Sequence, residues 1–522
     1  MVLTEILARN ARMHGDSVAL IEREPESKIR RQLTWRQFYG QANAFSRALA
    51  GLGVQKGDRV VHLMMNCLEW LPVYFGILRA GAVAVPLNFR FEAPAISRCT
   101  NLCRARVVVF GEEFIGRITE VKSELDKSVS SYIFAGPGEK CPDFALPLSR
   151  AVEGCEEHEP DVAVYPWDGA GIYFTSGTTG EPKGVYLRHR QLESACYVEN
   201  RHHNQVNSDN FLCIPPLYHT GAKMHWFGNF IVGAPAVILK GSVSPKAILE
   251  TVSQEQVTIV WLLVPWAHDI LVALENNELR LQDYTLEQWR LMHIGAQPVP
   301  PSLIEKWQRF FPGQQYDTNY GLTEATGPGC VHLGTENMHK TGAIGRAGFD
   351  WECRVVDDCG RDLPPETPGE LVVKGPGVME RYWRKPEATD AVLKDGWLRT
   401  GDIVKLDHEG FFWLVDRKKD VIITGGENIF PVEIENHLMT HEDILDAAVI
   451  GVPDERLGEI VAAVISPKPG RRLTEGQVSD FCTEMPRYKR PRRIFFDEVP
   501  RNPTGKIEKP GLRQKYATLS GS

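Results

Sequence analysis

Apolar positions along this chain follow two periods. Across residues 34–52, Phe38, Ala42, Phe45 and Leu49 recur three or four apart and fall on one face of a helix. Thr34 and Gln37 have capping-box spacing at its start, and Gly51 and Gly53 mark its stop. Elsewhere the apolar residues come in short unbroken runs between turn residues, at 60–64, 107–110, 172–174, 237–239 and 259–264. Such runs predict strands buried on both faces, and helical patterns lie between several of them. Strand and helix alternating in this way predict an α/β fold with largely parallel sheets. Residues 136–168 are rich in Gly, Pro, Glu and Asp, lack periodicity and read as a surface connection.

A second region begins near Asp416, where the charged run Asp416-Arg417-Lys418-Lys419-Asp420 separates apolar strands at 411–415 and 421–423. Beyond it the pattern predicts a helix at 431–439, strands at 447–452 and 461–465, a helix at 474–482 capped by Thr474 and Gln477, and a strand at 494–496. The expected organisation is a large N-terminal α/β domain over residues 1–416 and a small α+β domain over 417–522.

Composition narrows the function. The chain has 522 residues, too many for one ordinary core, and its 43% hydrophobic and 24% charged residues are those of a water-soluble protein. A net charge of −8 gives no footprint for nucleic acid. Glu5, Arg9, Arg12 and His14 interrupt the first fifteen residues, so no secretory leader is expected. The longest apolar stretches, 230–239 and 257–267, fall short of the ~20 residues that cross a bilayer. The C-terminal Ser520-Gly521-Ser522 is not a peroxisomal signal. Cys99 and Cys103 are the only close pair among 11 cysteines, which points to free thiols in a reducing cytoplasm rather than to zinc.

The most informative string is Thr175-Ser176-Gly177-Thr178-Thr179-Gly180-Glu181-Pro182-Lys183-Gly184-Val185, directly after the strand at 172–174. Its glycines let backbone N–H groups approach an anion, its hydroxyls add donors, and Lys183 adds a positive charge. This is a polyphosphate cradle, though not a Walker A loop, because Pro182 precedes Lys183 and Gly184 follows it.

The string resembles the signature loop of the adenylate-forming superfamily, which includes acyl-CoA synthetases, peptide-synthetase adenylation domains and beetle luciferases. Four further segments resemble that family's motifs in the family's order: Tyr320-Gly321-Leu322-Thr323-Glu324, Trp397 to Asp402, Gly410 to Glu427, and Pro500 to Lys506. The resemblance extends to residues 33–91 and so covers nearly the whole chain.

The resemblance implies two half-reactions. A carboxylic acid and ATP form an acyl-adenylate and pyrophosphate, and coenzyme A then takes the acyl group. It also implies roles. Thr175, Ser176, Gly177, Thr178, Thr179 and Lys183 would hold phosphates. Tyr320 would lie on adenine beside Gly295, Ala296, Gln297, Asn319 and Gly321. Thr323 would contact the α-phosphate, and Thr178 and Glu324 would bind Mg2+. Asp402 and Arg417 would hold the ribose, and Lys506 would be the catalytic lysine. Lys419 would be the hinge about which a mobile C-terminal domain turns, bringing the Gly425-Gly426 loop over the pantetheine arm.

The stretch Pro215-Pro216-Leu217-Tyr218-His219-Thr220-Gly221 lacks the aspartate that amino-acid-activating relatives carry there, so an amino acid is not expected. By family position His219 would gate the acyl pocket and Met224, Trp226, Trp266 and Gly295 would line it. That predicts an aromatic, alicyclic or medium-length acid. Trp226 and Trp266 read equally well as core residues, and Lys223 is expected in solvent unless it meets a second substrate carboxylate inside the pocket. Two alternatives stand beside coenzyme A ligation: loading of a carrier protein, and a non-catalytic nucleotide-binding regulator. Oligomeric state and the acid's identity are left open.

Overall fold

A computed structural model of the chain describes residues 1–125, 128–175, 182–425, 427–501 and 507–517. The first amphipathic segment forms the helix Trp35–Gly51, with Phe38, Ala42, Phe45 and Leu49 buried. Thr34 Oγ1 accepts from the Gln37 N–H at 3.2 Å, and Gln37 Oε1 accepts from the Thr34 N–H at 2.9 Å, completing the capping box.

The unbroken apolar runs become strands of two large sheets. In a nine-stranded sheet the parallel strands lie in the order Gln315–Tyr320, Leu291–Gly295, Ile259–Leu263, Phe211–Cys213, Ala236–Leu239 and Val18–Glu24. An eight-stranded sheet runs Lys183–Arg188, Gly169–Thr175, Val83–Pro86, Arg59–Leu63, Ala105–Gly111 and Ser131–Ala135, with only the first of these pairings antiparallel. One continuous core joins the two sheets through the helices Trp35–Gly51, Trp70–Arg79, His189–His203 and Thr220–Ile231. Each sheet also buries its far face: Ile259 and Trp261 join the shared core, whereas Val260 and Leu262 pack under the helices Val264–Glu275 and Pro301–Phe310. Both faces being covered is why these strands read as unbroken apolar runs.

The stretch at 136–168 is mostly irregular, as expected, but it contains the two-residue strand Leu146–Pro147, which extends the sheet edge beside Ser131–Ala135, and the short helix Leu148–Ala151. Elements this short leave no period to read.

A mostly antiparallel sheet built on Glu352–Val356, Gly369–Lys374, Trp397–Leu406 and Phe412–Arg417 follows. The chain then enters Ile422–Thr424, Pro431–Leu438, Ile444–Asp454, Gly458–Pro467, Glu475–Phe481 and Arg493–Phe496. The two core clusters of this last region draw on residues between 422 and 516 alone. The observed class is the expected one: α/β sheets with helices, followed by a smaller unit of sheet and helix. Among the described residues no helix is long and apolar enough to cross a membrane.

Candidate active site

Thr175 and Lys183 are antiparallel partners at the two ends of the signature loop, so the sheet itself closes the loop's base. Ser176, Gly177, Thr178 and Thr179 lie outside the described residues. Lys183 Nζ sits 5.0 Å from the centre of the Tyr382 ring, and the Tyr382 hydroxyl donates to Glu324 Oε1 at 2.8 Å. Burial, reinforced by the Glu324 charge, holds the Tyr382 pKa above its ordinary value and keeps the hydroxyl a donor. Glu324 and Thr323 occupy the single turn Thr323–Ala325. Its entry needs glycine: a Cβ on Gly321 would meet the Gly327 carbonyl oxygen at 2.6 Å. The Glu324 carbonyl accepts from the Met379 N–H at 2.7 Å, and Thr323 Oγ1 lies 3.4 Å from Thr220 Oγ1. Lys183, the Tyr382 hydroxyl and the Glu324 carboxylate thus form one chain of contacts, with the Thr323 and Thr220 hydroxyls beside Glu324.

A second cluster stands beside it. Asp402 and Arg417 are opposite one another on adjacent strands, with Arg417 Nε 3.4 Å from Asp402 Oδ1. The Tyr320 hydroxyl donates to Asp402 Oδ2 at 2.5 Å. Burial opposes the charge on Arg417, yet Asp402 and Tyr320 hold its pKa above the ordinary value. Burial and the neighbouring Arg417 lower that of Lys419. The tyrosine ring, the carboxylate and the guanidinium form a polar-edged aromatic wall suited to a nucleoside.

Gly295 ends the strand Leu291–Gly295, and a Cβ there would meet Asn319 Oδ1 at 3.3 Å and Trp261 Nε1 at 3.8 Å. Ala296 follows in the left-handed region at φ +70°. His219 caps the helix Thr220–Ile231 by accepting from the Gly221 N–H at 3.2 Å. A Cβ on Gly221 would lie 2.9 Å from the Trp261 indole, which stacks on the His225 ring at 4.3 Å. Gly221, His225, Trp261 and Gly295 therefore share one side of that helix. Met224 and Trp226 are fully buried in the shared core, Trp226 against Phe227 and Phe230. Trp266 is partly buried between two core clusters.

Lys223 is not the solvent-facing residue expected. It is fully buried among the rings of Trp70, Tyr74 and Tyr173, with Nζ 4.4 Å from the Tyr173 centre and donating to the Leu217 carbonyl at 3.3 Å. Desolvation lowers its pKa well below the ordinary lysine value. The helix Thr220–Ile231 is buried on all sides, so no face of it is left for solvent.

The C-terminal region meets this site through Arg501. Its guanidinium holds both oxygens of Asp446 at 2.7 Å and donates to Gln297 Oε1 at 3.1 Å. Arg501 also forms an antiparallel bridge with Ile507. Lys506 and Gly426 lie outside the described residues. Gly425 has φ +57° and donates its N–H to the Leu457 carbonyl at 2.9 Å.

Sequence reasoning assigned nothing to Tyr382, Trp261, His225 or Arg501. Tyr382 stands 58 residues from Glu324 and outside every motif, so only the fold reveals it. Arg501 lies inside the last motif, and its position there was the available signal.

The sequence profile of the AMP-binding enzyme family matches residues 7–383, and that of the AMP-binding enzyme C-terminal domain matches residues 433–506. The chain is 34% identical to an indoleacetate–CoA ligase of Aromatoleum aromaticum, over 99% of this chain and 98% of that protein. It is 33% identical to a feruloyl-CoA synthase of Amycolatopsis, over 93% of this chain and 94% of that protein. Its fold is similar to that of an anthranilate CoA ligase in complex with anthranoyl-AMP, with a TM-score of 0.90, 26% identity and coverage of 100% and 98%.

Proposed function

The chain belongs to the AMP-binding enzyme family, and we propose that within it the acid it activates is compact and ring-bearing. It is an AMP-forming acid–CoA ligase whose substrates are a carboxylic acid, ATP and coenzyme A. An oxygen of the acid's carboxylate attacks the α-phosphorus of ATP and pyrophosphate leaves. The coenzyme A sulfur then attacks the carbonyl of the acyl-adenylate, losing its proton, and AMP leaves.

Each group has a task in the first step. Lys183 neutralises the β- and γ-phosphates, and Thr323 orients the α-phosphate. Tyr320 covers adenine, while Asp402 and Arg417 hold the ribose, so the nucleotide is fixed before the acid arrives. The carboxylate of Glu324, oriented by Tyr382, suits a hard cation, and Mg2+ held there with Thr178 would supply charge neutralisation on the phosphates. Lys506, which follows the Arg501 that reaches Gln297, stabilises charge at the α-phosphate and carboxylate. Between the steps the domain over residues 417–522 turns about Lys419 against the domain over 1–416 and exchanges Lys506 for the Gly425-Gly426 loop. The free state of all 11 cysteines suits a cytoplasmic enzyme.

One observation carries the choice of acid. A Cβ on Gly221 would meet the Trp261 indole at 2.9 Å, so glycine lets the start of the helix Thr220–Ile231 lie directly against a flat indole that stacks on His225, beside Gly295. An aromatic surface of this kind next to His219 suits a ring-bearing acid better than a long alkyl chain. His219 stands at the entrance. The relatives named for indoleacetate and ferulate accord with this reading. The test is pyrophosphate release with aromatic, alicyclic, short, medium, long-chain and dicarboxylic acids, with and without coenzyme A. Preference for ring-bearing acids, with turnover dependent on coenzyme A, is expected. A preference for long-chain acids would overturn the assignment.

A further inference from the structure

Beside the Trp261 indole lies a cluster of buried ionisable side chains to which the ligase reaction assigns no task. Glu199 and His203 stand one turn apart on the helix His189–His203, His225 comes from the next helix, and His293 comes from the strand Leu291–Gly295. Asp317 and His332 flank them from two further strands. All six are 0–2% exposed.

Three observations distinguish this cluster from an ordinary buried hydrogen-bond network. First, the donor atoms of Glu199, His203 and His293 all lie within 4.8 Å of one another. His203 Nδ1 is 3.1 Å from Glu199 Oε2, and His225 Nε2 is 3.7 Å from Glu199 Oε1. Ligands ~2.0–2.1 Å from a tetrahedral zinc ion stand roughly 3.3 Å apart, so these pairs are already near coordination spacing. Second, the buried polar atoms are unsatisfied. Both nitrogens of His293, both carboxylate oxygens of Glu199 and His203 Nδ1 have no aligned hydrogen-bond partner among the described residues. A proton shared by His203 and Glu199 would serve those two but leave both nitrogens of His293 without a partner. Third, an outer group fixes the tautomer of His203. Asp317 Oδ2 lies 2.8 Å from His203 Nε2, which leaves Nδ1 facing Glu199, and Gly334 N–H and His332 hold Asp317 in turn. His225 Nδ1 bonds the Gly221 carbonyl and its Nε2 lies 3.1 Å from Asn319 Nδ2, so His225 flanks Glu199 from outside the ligand set. A carboxylate behind an imidazole is the usual outer shell of a metal ligand.

We propose that Glu199, His203 and His293 bind one divalent transition-metal ion, zinc by donor type. Two carboxylates, Glu199 and Asp317, then face the two positive charges of the ion, and the cluster is neutral as a whole. Two imidazoles and one carboxylate suit zinc over the hard cations magnesium and calcium. The ion ties the helix His189–His203 to the strand that ends at Gly295.

The test is metal content of the full-length protein by plasma mass spectrometry, after purification from zinc-supplemented medium and dialysis against a weak chelator. About one zinc per chain is expected, falling at least tenfold in His293→Leu and in Glu199→Gln. X-ray absorption at the zinc edge of the wild type is expected to show a nitrogen and oxygen first shell with imidazole outer-shell scattering, a readout that needs no folded variant. Substoichiometric zinc in the wild type, sulfur in the first shell, or full zinc retention in folded His293→Leu or Glu199→Gln would each overturn the proposal. Pyrophosphate release is scored separately, so failure of the metal site leaves the ligase assignment untouched.

Discussion

At the scale of single residues, chemistry here depends on partners far apart in sequence. Tyr382 connects Lys183 to Glu324 without belonging to any motif. A hydrogen bond to a charged group is worth about 1.5–3 kcal/mol. Tyr382→Phe is therefore expected to lower kcat/KM for pyrophosphate release by roughly 10–100-fold and to raise the magnesium concentration needed for half-maximal rate. Titrating the variant with magnesium checks this, and an unchanged magnesium dependence would separate Tyr382 from Glu324. Lys223 makes a second prediction. Its folded pKa is lowered, so below the unfolded value near 10.4 the unfolded chain binds a proton that the folded chain does not. Its destabilising effect is absent above that pH and grows as pH falls. Lys223→Met is expected to raise stability by about 1–3 kcal/mol at pH 7, with the gain shrinking toward pH 10. Denaturant unfolding at both pH values decides it.

What was legible at this scale followed local chemistry. Lys183 sits in a string whose composition suggests phosphate contacts, Glu324, Asp402 and Arg417 took their expected roles from the family resemblance, and the fold brings the four to adjoining sites. Lys223 was misjudged because charge alone suggests solvent. The largely apolar context from Met224 to Val232, interrupted by His225 and Asn229, was the signal that its helix is buried on every side. The polar cluster of Glu199, His203, His225, His293, Asp317 and His332 was invisible, since its members come from five elements whose proximity only the sheet order creates.

At the scale of elements, period and capping carried most of the fold. Thr34 and Thr474 cap their helices as their spacing requires, and each buried strand lies within a few residues of its apolar run. Boundaries drifted where pairing, not hydrophobicity, ends the strand: Gly169–Thr175 extends three residues before its apolar run because Arg188 and Leu187 pair there. Thr34→Ala removes the side-chain acceptor for the Gln37 N–H and is expected to cost about 1 kcal/mol of stability with no change in KM for ATP. Thermal unfolding beside a kinetic assay checks both halves of that statement.

At the scale of the whole molecule, the sequence suggested two units and the structure gives the last one its own core clusters. The sequence could not say how the units meet. Arg501, held by Asp446, reaches Gln297 and so joins the last unit to the large one. On the function proposed above, alternation between that contact and its release would give one cleft two successive chemistries. The most direct test of this account compares Lys506→Ala with wild type in separate half-reactions: pyrophosphate release from ATP and acid, and thioester formation from supplied acyl-adenylate and coenzyme A. The account predicts a loss of roughly 10²–10³ in the first and a loss of under tenfold in the second. Equal losses in both would contradict it.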